Sequence, residues 1–161
     1  MNEKEKKKKQ IQLLQQNLCS IRTIAGWTSE QLAEKLDVTK QTISNLEKSI
    51  TQMSFAQYIA IRTFLDYEIE WNPNNTVLPQ VIEILVDKGA EFEEEDYTEM
   101  KEKVEVVAAS ASSGKKEETL AKTLSSLMTP ELIGALAAFG IILGQTKIIA
   151  KAAVWIKNIF K

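Results

Sequence analysis

The sequence predicts an all-α protein, and two observations carry that prediction. Between Thr28 and Ser49, two short runs of apolar residues at helical spacing each follow a threonine that can cap a helix. Longer segments, such as Ile11 to Ala25, also repeat apolar residues every three or four positions. At 161 residues, the chain is long enough for one or two domains with a hydrophobic core.

The stretch from Thr28 to Ser49 is predicted to form two helices joined by a tight turn. Thr28 and Gln31 have the spacing of a capping box, and Thr39 can cap the second helix. Asp37 stands where the chain must turn, and aspartate tolerates the left-handed conformation better than most residues. The apolar sides to be buried are Leu32, Ala33 and Leu36 in the first helix and Ile43 and Leu46 in the second.

The outer face of the second helix is polar and rich in hydrogen-bond donors. It consists of Lys40, Gln41, Ser44, Asn45 and Lys48, with Thr42 at its border. Glutamine and asparagine can pair with adenine, serine and threonine can donate or accept, and lysine can reach guanine or phosphate. An ordinary solvated helix more often carries Glu–Lys pairs. We therefore expect this helix to enter the major groove of DNA, the alternative being a helix-turn-helix used only for packing or protein contact.

At these residues the sequence resembles the Cro/repressor-type (Xre-like) helix-turn-helix family. The resemblance extends from about Leu13 to Tyr67, and the matching positions are Thr28, Leu32, Ala33, Val38, Thr39, Ile43, Ser44, Leu46 and Glu47. It implies a five-helix, lambda-repressor-like domain that binds double-stranded DNA, and an ion pair between Arg22 and Glu47. Three features depart from the family pattern: Asp37 replaces the turn glycine, Ser29 a phosphate-binding glutamine, and Lys48-Ser49 an Asn-Gly pair.

The predicted function is a sequence-specific transcriptional regulator, a repressor, that acts as a cytoplasmic homodimer on paired half-sites. Its predicted DNA-binding residues are Thr28, Ser29, Thr39, Lys40, Gln41, Thr42, Ser44, Asn45 and Lys48. Of these, Gln41, Ser44 and Asn45 are expected to read bases, while Lys40 and Lys48 hold phosphate. With one cysteine, no histidine and no glycine-rich phosphate loop, we expect no enzymatic activity, metal or cofactor.

The formal net charge of −2 is distributed unevenly along the chain. Residues 1–72 carry a net charge of +1, residues 73–113 carry −7, and residues 114–161 carry +4. The acidic middle should face away from DNA or compete with it. The Lys6–Lys9 run is expected to be a solvated, mobile arm that extends the first helix, and it could add salt-sensitive contacts to phosphate.

Composition also predicts where the chain divides. Residues 1–71 would form the DNA-binding domain, ending in a separate short helix or turn at Tyr67–Trp71, and residues 72–76 a linker. Residues 77–161 would contain four or five helices. Within that region, Glu91–Asp96 is expected to be a loop or solvated surface, and Ala108–Gly114 a flexible joint.

The last part of the chain is unusually apolar. Thr129-Pro130-Glu131 is a helix start, and Leu132–Thr146 carries no charge but includes Gly140 and Gly144 in a GxxxG pattern. Lys147–Lys161 is amphipathic. Three interpretations stay open: a buried helical hairpin that packs on the middle helices and could also contact a second subunit, a tail that inserts in or lies on the membrane, or a ligand-sensing pocket. The membrane interpretation would place a tethered regulator or adaptor at the cytoplasmic face, although the uncharged run is shorter than the roughly 20 residues that span a bilayer.

Overall fold

The structure, a computed structural model, describes residues 1–144 and confirms the all-α prediction, since these residues form nine α-helices and no strand. The first five helices are α1 (Glu3–Gln16), α2 (Leu18–Ile24), α3 (Ser29–Leu36), α4 (Lys40–Glu47) and α5 (Phe55–Trp71). The others are α6 (Val77–Ile82), α7 (Glu94–Ser112), α8 (Glu117–Leu127) and α9 (Pro130–Ala138). A π-helical turn (Glu83–Asp87) and a 3₁₀ turn (Gly89–Glu91) lie between α6 and α7.

The first helix agrees with its prediction at its start and differs from it at its end. Asn2 and Glu5 form a capping box that starts α1 at Glu3. The Lys6–Lys9 run therefore extends the first helix, as predicted, while the mobility of this arm stays a prediction. The helix expected over Ile11–Ala25 is interrupted at Asn17, so that two helices stand where one was predicted.

The prediction of a separate helix or turn at Tyr67–Trp71 is wrong. The helix that begins after Ser54 runs without interruption to Trp71. Leu65 is buried and Ile69 packs against the core, so the apolar side of α5 continues through this segment. Five helices still precede the predicted linker, because the first one is split and the last two are joined.

In the acidic middle, the carboxylates of Glu91–Asp96 lie on the solvated surface, one of the two predicted alternatives, whereas the joint predicted at Ala108–Gly114 is largely helical. Glu94, Glu95 and Asp96 form the first turn of α7, where negative charge is favoured by the helix dipole. The same helix continues to Ser112, so most of the joint expected at Ala108–Gly114 is helical as well. The cause is packing, since Val107 and Ala108 are buried in the core.

One hydrophobic core contains residues from both the N-terminal and the C-terminal helices. α7 packs mainly on α2, α6 packs on α2 and α8, and the π-helical turn packs on α1. The principal neighbours of α3 and α4 are instead α1, α2 and α5. The C-terminal helices therefore cover α1 and α2, while the outer sides of α3 and α4 stay uncovered by them. A domain boundary at residues 72–76 stays a prediction.

The close approach of α1 to the turn after α6 depends on Gly89. A Cβ atom at this position would lie 2.9 Å from Cδ1 of Leu13 and 3.0 Å from Cε2 of Tyr97. Asn17 stabilises the same junction, because its side-chain amide donates to the hydroxyl of Tyr97 at 2.9 Å. Tyr97 in turn donates to the carbonyl of Leu85 at 3.1 Å.

The helix start at Thr129 is confirmed, because its hydroxyl accepts a hydrogen bond from the amide of Leu132. The uncharged helix is shorter than expected, since it ends at Ala138 and Gly140 takes a left-handed φ of 74°. The GxxxG pattern therefore does not lie on a helix: Gly140 follows α9, and Gly144 is in a turn. Within residues 1–144, no helix is both long and apolar enough to cross a membrane. Lys147–Lys161 lies outside the described residues, and the three interpretations of the tail stay predictions.

Candidate nucleic-acid interface

Helix α3 is fixed at both ends by its own residues. The hydroxyl of Thr28 accepts from the amide of Gln31 at 3.1 Å, and the Gln31 side chain accepts from the amide of Thr28 at 2.9 Å. At the other end, Asp37 takes the left-handed conformation with φ 52°. The amide of Val38 then donates to the carbonyl of Ala33 at 3.0 Å. The predicted capping box and the predicted turn are both confirmed.

Helix α4 has one buried side and one open side. Thr39 caps it by accepting from the amide of Thr42 at 3.2 Å, and the two threonine hydroxyls lie 3.0 Å apart. Ile43 and Leu46 are buried, while Lys40, Gln41 and Lys48 are exposed. Thr42, Ser44 and Asn45 are half-buried along the border between these sides. The structure thus brings together the α4 residues that were predicted from the sequence to contact DNA.

The two amide side chains on the open side of α4 are linked to each other. Nε2 of Gln41 donates to Oδ1 of Asn45 at 2.9 Å, one helical turn apart. Within residues 1–144, Oε1 of Gln41 and Nδ2 of Asn45 make no further side-chain hydrogen bond. The acceptor Oε1 of Gln41 and the donor Nδ2 of Asn45 therefore remain available to a ligand.

An exposed ion pair connects the starts of α3 and α4. Nζ of Lys40 lies 2.6 Å from Oε1 of Glu30, and more than half of each side chain is exposed. The hydrogen bond from Lys40 is the main reason why the pKa of Glu30 is lowered. Thr28 and Ser29, the predicted contacts at the start of α3, directly precede Glu30, with Thr28 exposed and Ser29 half-buried.

A second ion pair attaches the end of α4 to α2, as the family resemblance implied. Arg22 donates through Nε to Oε1 of Glu47, and through Nη1 to the carbonyl of Trp27 at 2.8 Å. The exposed fractions of the two side chains are 13% and 12%. Burial alone would lower the pKa of Arg22, but the hydrogen bond and charge of Glu47 outweigh it and the pKa is raised. Glu47 therefore belongs to the supporting scaffold, so its charge does not interrupt the open side of α4.

Gln15 on α1 supports the segment after α4, a role that the sequence analysis did not identify. It is 8% exposed, and its Nε2 donates to the carbonyls of Leu46 at 3.0 Å and Thr51 at 2.6 Å. Its Oε1 accepts from the amide of Met53 at 2.9 Å. One side chain thus holds both ends of the segment after α4. A signal was present, because Gln15 lies four residues after Ile11 and three before Leu18 and so borders the apolar side of the helix.

The segment held by Gln15, residues 48–53, forms the exposed connection from α4 to α5. Lys48, Ser49, Ile50, Thr51 and Gln52 are all exposed, whereas Met53 is buried. Ser49 takes a left-handed φ of 57°, at a place where the resembled family often has glycine. Lys48, which was predicted to hold phosphate, starts this segment.

A partly buried ion pair connects the π-helical turn after α6 to α5. Arg62 donates through Nη1 and Nη2 to the two carboxylate oxygens of Asp87, at 2.7 and 3.2 Å. The Arg62 side chain is 3% exposed. Burial would lower the pKa of Arg62, but the charge and hydrogen bonds of Asp87 outweigh it and the pKa is raised. Sequence reasoning missed this pair because nothing local relates two residues on different elements.

Comparison with known proteins agrees with this geometry. A helix-turn-helix family model of the Cro/C1 type matches residues 20–72, about a third of the chain. An uncharacterized HTH-type transcriptional regulator of Rickettsia prowazekii is 36% identical over 56 residues, which cover 35% of this chain and 43% of that protein. The match thus spans less than half of the relative. No solved structure matches significantly. Residues 20–72 are a helix-turn-helix DNA-binding domain of the Cro/repressor, Xre-like type.

Proposed function

We propose that the chain is a sequence-specific transcriptional regulator that places α4 in the major groove of DNA. The observation that carries this proposal is the open side of α4, where polar side chains suited to base edges are exposed. The opposite side of the helix is anchored by Ile43, Leu46 and the Arg22–Glu47 pair. A side chain on such a rigid support can meet a base edge with little loss of conformational entropy.

Gln41, Ser44 and Asn45 are the proposed base-reading residues. The hydrogen bond between Gln41 and Asn45 holds the two amides in one orientation. Together they offer an acceptor and a donor, which is the complement of the N6 donor and N7 acceptor of adenine. Ser44, between them in sequence and half-buried, can donate or accept at an adjacent base.

The remaining predicted residues are proposed to position the domain on phosphate. Thr28, Ser29, Thr39 and Thr42 lie at the first turns of α3 and α4, where the helix dipole also favours an anion. Lys40 and Lys48 add positive charge at opposite ends of α4. Lys40 can exchange Glu30 for phosphate, because an exposed ion pair is weak in water.

We further propose that the regulator is a homodimer. Helix-turn-helix proteins commonly bind paired half-sites about one helical turn of DNA apart. Tyr67 and Trp71 lie one turn apart near the end of α5 and are 60% and 77% exposed, an unusual exposure for large aromatic residues. Repression in the cytoplasm is the simplest mode of action that we propose, because a protein that occupies its DNA site excludes others from it. The Rickettsia prowazekii relative, a transcriptional regulator by its name, supports the regulatory role.

The proposal is tested by selecting duplexes from a random pool with the full chain, then measuring affinity for the selected and for unrelated sequences. Gln41→Ala should weaken binding to the selected duplex by about 1–3 kcal/mol and leave binding to unrelated DNA nearly unchanged. Gln16→Ala, at an exposed glutamine of α1, is the matched control and should change neither affinity.

Two outcomes would reject the proposal. If the selection enriches no sequence, the protein does not bind DNA with sequence specificity. A Gln41→Ala variant that loses the same affinity on every duplex would remove the base-reading role of α4.

A further inference from the structure

The DNA-binding domain has an unusual charge distribution. Residues 10–72 contain five basic and seven acidic side chains, a net charge of −2. Two of the five basic groups, Arg22 and Arg62, are paired with Glu47 and Asp87 inside the protein. Residues 1–9, by contrast, contain five lysines and two glutamates, a net charge of +3. Half of the positive charge in residues 1–72 therefore lies before the helix-turn-helix.

The structure places these lysines on a rigid helix. The capping box of Asn2 and Glu5 starts α1, and the helix continues into the core at Leu13 and Leu14. Lys4, Lys8 and Lys9 are exposed, and within residues 1–144 none of them makes an ion pair. Their charge is thus not neutralised by the protein's own carboxylates.

Two contacts fix α1 against residues 48–53, which follow α4, and against the start of α5. Gln15 holds this segment through Leu46, Thr51 and Met53. Two turns earlier on the same helix, Nζ of Lys7 lies 3.3 Å from the ring centroid of Phe55, the first residue of α5. The lysine-bearing turns of α1 therefore lie beside the start of α5, where the connection from the proposed reading helix ends.

We propose that the N-terminal turns of α1 form a phosphate-binding surface that extends the DNA interface, with Lys4 and Lys8 as its principal contacts. This inference rests on the proposed function, since it requires DNA to lie against α4. Lys4, Lys7 and Lys8 share one side of the helix by their spacing. Lys7 is held by its contact with the ring of Phe55, and Lys4 and Lys8 lie on either side of this contact along the exposed surface of the helix.

DNA fits this surface better than an anionic membrane does. A helix that binds a bilayer surface needs an apolar side free to enter it. The apolar side of α1 is occupied, because Leu13 and Leu14 are 2% and 0% exposed and Ile11 packs against the core. The exposed side of α1 is polar, and its first turns carry a net positive charge, as suits contact with a polyphosphate backbone.

The test compares two double variants of the full chain that remove the same charge. Lys4→Gln with Lys8→Gln changes the proposed surface, and Lys115→Gln with Lys116→Gln changes two exposed lysines between α7 and α8. Affinity for a mixed-sequence duplex is measured by fluorescence anisotropy across a series of salt concentrations. Each lost phosphate contact should reduce the slope of log affinity against log salt by about 0.9, so the α1 variant should lose about 1.8. Thermal melting confirms that both variants are folded.

The inference holds if the slope falls in the α1 variant and stays at the wild-type value in the control. Equal slopes in the two variants would overturn it, and a selected sequence would then still support the proposed function. Conversely, the salt slope could fall only in the α1 variant while the duplex selection enriches no sequence. That result would support the phosphate-binding surface and reject sequence-specific binding. Binding to phosphatidylserine vesicles that depends on Lys4 and Lys8, with an unchanged DNA slope, would assign the surface to membrane and overturn the inference.

Discussion

The helices before Asn72 and those after it are specified in different ways. Of the first five helices, α1, α3, α4 and α5 begin with a side chain that caps the helix. Of the four later helices in residues 1–144, α9 has such a cap, and the first turn of α6 receives a side-chain hydrogen bond from Asn75, whereas α7 and α8 have neither. The N-terminal helices thus carry more of their boundaries in local sequence, whereas α7 and α8 depend more on packing against α2, α6 and each other.

This difference matches what each region is proposed to do. A reading helix must keep one orientation, and α4 is held by a cap, two buried apolar residues and the pair between Arg22 and Glu47. The later helices pack directly on α2, and the π-helical turn adds a polar contact by carrying Asp87 to Arg62. Such π-helical turns are frequent at functional sites, so this turn is the natural place to look for communication between the regions.

The largest expected effect comes from breaking the link between the two regions. Asp87→Asn removes the carboxylate that is paired with the guanidinium of Arg62 and should destabilise the protein by about 2–3 kcal/mol, because Arg62 is 3% exposed while Asp87 is 30% exposed. Glu91→Gln is the control, because its pair with Lys88 spans 3.7 Å at the surface. It should change stability by less than about 1 kcal/mol. Urea denaturation measures both, and equal small effects would contradict a buried link.

The second effect concerns the support of α4. Gln15→Ala leaves two carbonyls and one amide without their partner and should cost about 2 kcal/mol. The amides of residues 48–53 should also exchange faster with deuterium. Gln16→Ala, at the exposed neighbour, should leave both measurements unchanged. Unaltered exchange in the Gln15 variant would mean that this side chain does not hold the segment.

A third effect depends on pH. Burial raises the pKa of Tyr58 to about 12, from an ordinary value of 10. Because the raised pKa belongs to the folded state, this stabilisation is complete below pH 10 and is lost as the pH rises towards 12. The expected loss is about 1.4 kcal/mol at pH 11. Unfolding measured from neutral to alkaline pH should show a shallower decline for Tyr58→Phe than for the wild type, and parallel curves would contradict this assignment.

The smallest effects test the difference in capping. Thr28→Ala should destabilise the protein by about 1 kcal/mol, because it removes the cap of α3. Lys116 precedes α8 in an extended conformation and provides no cap, so Lys116→Ser should stabilise the protein by about 0.5–1 kcal/mol. Thermal unfolding compares the two variants. Changes of the same sign would show that the regions do not differ in this respect.

The sequence predicted those features that depend on neighbouring residues. The capping box at Thr28, the left-handed turn at Asp37 and the cap at Thr129 each involve residues within a few positions of one another. The ion pair of Arg22 and Glu47 was foreseen only through the family resemblance. Together these features were enough to place the helix-turn-helix and the open side of α4.

The sequence failed where distant residues decide the structure. Nothing local shows that Asn17 interrupts the first helix and bonds to Tyr97, or that Gln15 reaches Thr51. The serine- and alanine-rich end of α7 looks flexible as a sequence, but burial of Val107 and Ala108 keeps it helical. A charged residue such as Arg62 in an apolar helix finds its partner only when the chain folds.

The central claim is that α4 and the starts of α3 and α4 form the DNA interface. Amide hydrogen exchange of the full chain, with and without a duplex obtained by selection, tests it most directly. The account predicts added protection in residues 28–31 and 39–49, with α7 and α8 unchanged. Protection confined to the helices after Asn72, with none over residues 39–49, would contradict it.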